Sequence, residues 1–153
     1  MKSMKKIFET RLTDVNSTDK DGAGVLRFEG NKIYKYVKYN NGTDNITAVA
    51  NKVVVYHGDD GYDDNEVVPD FSDGNDICAG TLVGVPADAD FCWIQIKGDV
   101  ILELALTAGV DGNSLTALGA GDGTLDISAL VTDHIAGVAI DVTLKKVLLD
   151  CPF

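Results

Sequence analysis

Along several short runs of the chain, apolar and polar residues alternate with a period of two, the spacing of a half-buried β-strand. Residues 25–29 and Lys32–Tyr39 flank Gly30-Asn31, a pair suited to a tight turn, so the two runs are read as a β-hairpin. On the second arm Tyr34 and Tyr36 fall on one face, while Lys35 and Tyr39 fall on the other. Lysines among tyrosines suggest a half-exposed strand whose lysine stems run past the rings to solvent. Residues 52–56, Lys-Val-Val-Val-Tyr, form another short β run.

The second half is patterned more strongly. Residues 77–85 read as a strand ended by Pro86-Ala87-Asp88. Residues 91–97 and 100–106 flank Gly98-Asp99, which predicts a second hairpin with glycine opening a type II′ turn. In its first arm Cys92, Ile94 and Ile96 alternate with Trp93, Gln95 and Lys97. Residues 107–123 are a Gly/Ala-rich connection, and 124–128, 135–142 and Lys146–Asp150 complete the strand set. No stretch has a clear amphipathic helical period, although 46–50 and 128–131 allow a short helical turn. The expected fold is all-β: a single-domain barrel or sandwich of about eight or nine short antiparallel strands. It occupies residues 23–153. The weakly patterned residues 1–22 precede it as an N-terminal arm that orders on a partner, or as a frayed segment.

Composition narrows the function. A chain of 153 residues suits one domain, and 16 glycines against 3 prolines suit many short elements joined by turns. The net charge of −11 repels phosphate backbones, and no Lys/Arg cluster offsets it, so direct nucleic-acid binding is not expected. No apolar run approaches the roughly 20 residues of a membrane span. The opening residues lack the apolar stretch of a secretory signal, so Cys78, Cys92 and Cys151 are read as reduced, structural thiols made in a cytosol. On the same ground Asn16-Ser17-Thr18, Asn41-Gly42-Thr43 and Asn45-Ile46-Thr47 are read as turns rather than glycosylation sites.

Candidate chemistry is sparse. His57 and His134 have no second ligand at zinc spacing, and no nucleophile elbow, P-loop or dinucleotide fingerprint is present, so neither a catalytic site nor a cofactor is expected. Cys92 lies inside an apolar alternation with nothing to mark it as an activated thiolate. Between Asp59 and Asp76 stand eight acidic residues, oxygen ligands of the kind calcium takes. No window matches an EF-hand, and residues 119–126 hold a single copy of a β-roll-like repeat, so the expectation is a solvated acidic loop without a resident metal. Trp93 is either core or an interface anchor, and its face neighbours Gln95 and Lys97 favour a subunit contact.

Several stretches together have a familiar texture: Tyr34-Lys-Tyr-Val-Lys-Tyr-Asn-Asn-Gly42, Ala79-Gly80-Thr81-Leu82, Pro86-Ala87-Asp88 and Phe91-Cys-Trp-Ile-Gln-Ile-Lys-Gly98. Residues 105–109, 119–125 and 129–134 follow in order. From Tyr34 to Phe153 the chain resembles the head decoration, or cement, proteins of tailed bacteriophages, although the acidic stretch departs from their pattern. The resemblance implies a viral structural protein on the virion's capsid exterior, made in the host cytoplasm. Such a protein binds the major capsid protein and stabilises the expanded shell, commonly as a homotrimer at three-fold or quasi-three-fold positions. It further implies shell contact through the N-terminal segment, for which Ile7, Phe8, Arg11 and Leu12 are the candidates, with Trp93 as a subunit-contact candidate. The alternative is a carbohydrate-binding module of a virion fibre or surface protein, calcium-assisted, with Tyr34, Tyr36, Tyr56, Tyr62 and Trp93 as its platform.

Overall fold

A computed structural model describes residues 7–153. Within them the chain is all-β, with ten strands in one continuous hydrogen-bonded sheet. In chain order these are β1 (Leu26–Glu29), β2 (Lys32–Tyr39), β3 (Val53–His57), the single helical turn α1 (Gly61–Asp64), β4 (Glu66–Val68), β5 (Gly74–Leu82), β6 (Phe91–Ile101), β7 (Ser114–Thr116), β8 (Asp126–Ile127), β9 (Ile135–Asp141) and β10 (Lys146–Asp150). Neither 46–50 nor 128–131, where the sequence allows a short helical turn, is helical, and a 3₁₀ turn, Phe71–Asp73, follows β4.

The hairpin of β1 and β2 forms as the turn residues predict, with Glu29 opposite Lys32 and Gly30 at φ 60°. Beyond it the pairings run from β2 through β4, β3, β5 and β6 and back to β2, closing a five-stranded ring. A ring with an odd number of strands cannot alternate direction all the way round. One pairing must be parallel, and it is β2 with β4, Lys38 opposite Glu66 and Tyr39 opposite Val67. β4 lies inside the stretch expected to be a solvated acidic loop. Its Val67 and Val68 are fully buried, while Asp63 and Asp64 just before the strand stay exposed.

Gly98-Asp99 makes no hairpin. β6 runs through the pair as one strand of eleven residues, with Gly98 at φ 100°. At this bend it changes partners. Residues before it pair with β2, from Lys38 opposite Phe91 to Ile33 opposite Lys97. Residues after it pair with β10, Leu149 opposite Gly98 and Lys146 opposite Ile101. Beyond β10 the sheet continues through β9, β7 and β8 as a second layer, and β7 arises within the stretch expected to be a Gly/Ala-rich connection.

One apolar core joins the ring to this layer. It gathers Val37, Cys92, Ile94 and Ile96 from the ring with Leu115, Ala136, Ala139, Val147 and Leu149 from the second layer. β3 is buried on both faces, as a strand between two packed layers is. No helix among the described residues is long and apolar enough to cross a membrane.

Candidate functional site

The alternation read from β6 holds. Cys92, Ile94 and Ile96 face the main core, while Trp93 joins Tyr34 and Tyr36 in a second cluster on the opposite face of the wall. The described part of the N-terminal segment lies over that cluster. Phe8 sets its ring edge-on to Trp93 at 5.4 Å, and Arg27 lies over both rings, at 5.0 Å from Phe8 and 5.6 Å from Trp93. Thr10 Oγ1 accepts a 2.8 Å hydrogen bond from Trp93 Nε1 and donates to Asp21, which also accepts from the amides of Glu9 and Thr10. Farther along, Asn16 and Phe91 exchange backbone hydrogen bonds.

These contacts fix where each contact candidate stands. Trp93 is fully buried and offers no surface to a subunit, because the polar neighbours that suggested exposure share a face with a segment from the far end of the sequence. Phe8 and Leu12 pack inward on the aromatic cluster. Ile7, 88% exposed, and Arg11 face solvent beside a shallow cleft with Phe8, Thr10 and Arg27. The sugar platform is not assembled either: of its five aromatics, Tyr34, Tyr36, Tyr56 and Trp93 are buried, and Tyr62 alone is open to solvent.

Lys35 also departs from the half-exposed strand expected for β2. It is buried on the core face, with Nζ 3.0 Å from the Tyr56 hydroxyl and 4.9 Å from the centre of the Tyr62 ring. Burial holds its ammonium below the usual lysine pKa. Among the described residues no carboxylate lies within ion-pair distance of it.

Three of the acidic residues cluster. Asp44, Asp70 and Asp122 bring carboxylate oxygens within 4.8 Å of one another, a donor set that hard cations take. Yet Asp70, fully buried, already accepts from the Ser72 amide and hydroxyl and from the Asp44 amide, and Asp122 accepts from the Phe71 amide. Those bonds, led by the Ser72 hydroxyl, draw the Asp70 pKa below its ordinary value. The cluster therefore ties three loops together through backbone donors. The Cys92 thiol lies fully buried in the core, and that burial pushes it up to about 12, with Asp90 adding to it.

One surface feature has no counterpart among the sequence expectations. β9 and β10 point Ala136, Ala139, Val147 and Leu149 into the core and turn large apolar residues outward. Val138 (38% exposed) stands directly opposite Leu148 (47%), and Ile140 (42%) and Ile101 (53%) extend the stripe across neighbouring strands. The charges set among them are paired, Lys146 with Asp99 at 3.8 Å and Lys97 with Asp150 at 2.5 Å. On a protein of net charge −11, this outer face is apolar and close to neutral. The signal was present in Ile-Ala-Gly-Val-Ala-Ile, where bulky residues alternate with small ones; strands apolar on both sides are those covered on both sides. No protein-family model, curated protein or solved structure matches the chain.

Proposed function

We propose that the chain is a non-catalytic structural protein of the capsid-decoration type, which docks on the outer surface of an expanded phage shell and stabilises it. The observation that carries this reading is the apolar, near-neutral outer face of the second layer, Ile101, Val138, Ile140 and Leu148. Contiguous apolar surface rimmed by charge is characteristic of a protein contact rather than of a free face. The acidic remainder keeps such a protein soluble at high copy number. Grouping as a homotrimer at three-fold positions on the virion multiplies a small interface into firm attachment. Buried aromatics leave the carbohydrate-binding alternative without a comparable surface.

Co-sedimentation with expanded, undecorated capsids of the virus that carries the gene tests this. The wild-type chain pellets with the shells, and Leu148→Asp combined with Val138→Asp is expected to weaken binding at least ~10-fold, the scale of losing apolar anchors at an interface centre. Far-UV circular dichroism and the solution mass should stay as in the wild type. Wild-type protein that remains in the supernatant would sink the proposal. A variant that loses its oligomeric mass would reassign the face to subunit contacts. A parallel deletion of residues 1–12 asks whether the exposed Ile7 and Arg11 add to shell binding; undiminished binding removes them from the interface.

A further inference from the structure

The three cysteines are not equivalent. Cys92 lies apart in the ring wall, whereas Cys78 and Cys151 meet in the interior with their sulfurs 3.4 Å apart. The pair occupies the fork where the two layers separate. One edge of β6 serves β5 at Ile94 and Gln95 and then serves β10 from Lys97 onward. Between these two partners the Cys151 amide donates to the Ile96 carbonyl, while Cys78 is held on the ring opposite Val55 of β3. Cys78 thus belongs to the ring and Cys151 to the segment that follows β10. A cleft of about 370 Å³ opens over the fork, lined by Cys78, Cys151, Lys97, His134, Asp150 and Pro152, although both cysteines are themselves buried.

We propose that Cys78 and Cys151 are a disulfide-forming site, closed by a small-molecule disulfide oxidant, whose bond fastens the ring to the second layer. The Cys78 sulfur, as thiolate after losing its proton to solvent, attacks one sulfur of the oxidant RSSR and expels RS⁻. The Cys151 sulfur, deprotonated in turn, attacks Cys78 in the mixed disulfide and expels the second RS⁻. Two thiols lose two electrons and two protons, and the oxidant leaves as two molecules of RSH. In the resting state the Cys151 S–H donates to Cys78, and that bond together with burial holds its pKa up; Lys97 opposes this and Asp150 reinforces it. Both cysteines are buried, so closure needs sustained exposure to oxidant. The sulfurs start in contact and have only to approach to the roughly 2.0 Å of an S–S bond. The site is independent of what the chain docks on.

Glutathione disulfide, applied to the purified wild-type chain, tests it. After denaturation in the absence of reductant, the thiol count should fall from three to one, the mass should drop by two hydrogens, and peptide mapping should join Cys78 to Cys151 within one chain. The crosslink closes a span of 73 residues, so the melting temperature of the oxidised form should rise by about 10 °C and return on reduction. Cys92→Ala should keep the linkage, and Cys151→Ser should abolish it. Three thiols remaining after prolonged exposure, a persistent glutathione adduct, or a crosslink through Cys92 or between chains would each overturn the assignment.

Discussion

Asp70 shows how a single carboxylate earns a place in the interior. It is fully buried, and its two oxygens satisfy the Ser72 amide, the Ser72 hydroxyl and the Asp44 amide. Its native pKa lies below the ordinary 3.8, so the unfolded chain binds the proton more readily than the folded one. The stability it contributes is therefore complete above that ordinary value and disappears as pH falls through the lower native one. Asp70→Asn keeps the shape, turns one acceptor into a donor and removes the charge. It should lower unfolding stability at pH 7 by about 1–3 kcal/mol, the usual penalty for a buried donor left unpaired. Urea midpoints of the two proteins should converge as the pH drops below 3.8; a constant difference down to strong acid would show that the charge plays no part. Thr10 fills the corresponding role for Trp93, as the acceptor that permits an indole N–H to be buried.

Among the elements, β6 is decisive, and Gly98 is its hinge. With φ at 100°, an added Cβ at Gly98 would lie 2.9 Å from Lys32 Cγ and 3.0 Å from the Asn31 carbonyl oxygen. Gly98→Ala is thus expected to cost about 1–3 kcal/mol from backbone strain, with the contact to the β1–β2 turn adding to it. Thermal unfolding measures the loss, and an unchanged melting temperature would mean that the bend relaxes freely. This position also marks what local sequence discloses. The hairpin at Gly30-Asn31 and the alternation of Cys92, Ile94 and Ile96 against Trp93 were legible, because a turn pair and a period of two are local properties. Gly98-Asp99 has the same local chemistry as a turn, and only the partners waiting on either side, β2 and β10, make it a bend. β4 was masked by its acidic neighbours, since its strand character rests on pairing with β2 and β3. The covering of Trp93 comes from Thr10, 83 residues away, with no local signal at all.

At the scale of the molecule, the outer face of β9 and β10 is apolar and near neutral on a chain of net charge −11. In the proposed function, charge keeps copies dispersed and this outer face is the docking surface. The candidate surface escaped the sequence reading because strands alone do not say which layer lies over them. Val138 and Leu148 look like core in one dimension and become surface only once β10, paired with β6 on one edge and β9 on the other, is seen to bury Val147 and Leu149 and leave Leu148 exposed.

The double employment of β6 has a consequence in time as well as in space. β2, β3, β4 and β5 all precede β6, yet the ring closes only when Phe91–Ile101 joins β2 to β5. During synthesis those four strands leave the ribosome with open edges and no ring to complete, and loop closure must be met before the distant pairings repay it. A fragment of residues 1–90 should therefore show no cooperative unfolding transition, and a sharp melt from it would contradict this order of events. For the full chain, refolding on the slow, millisecond-to-second scale of non-local β topologies is expected. The same strand that knits the two layers together is the one for which the nascent protein has to wait.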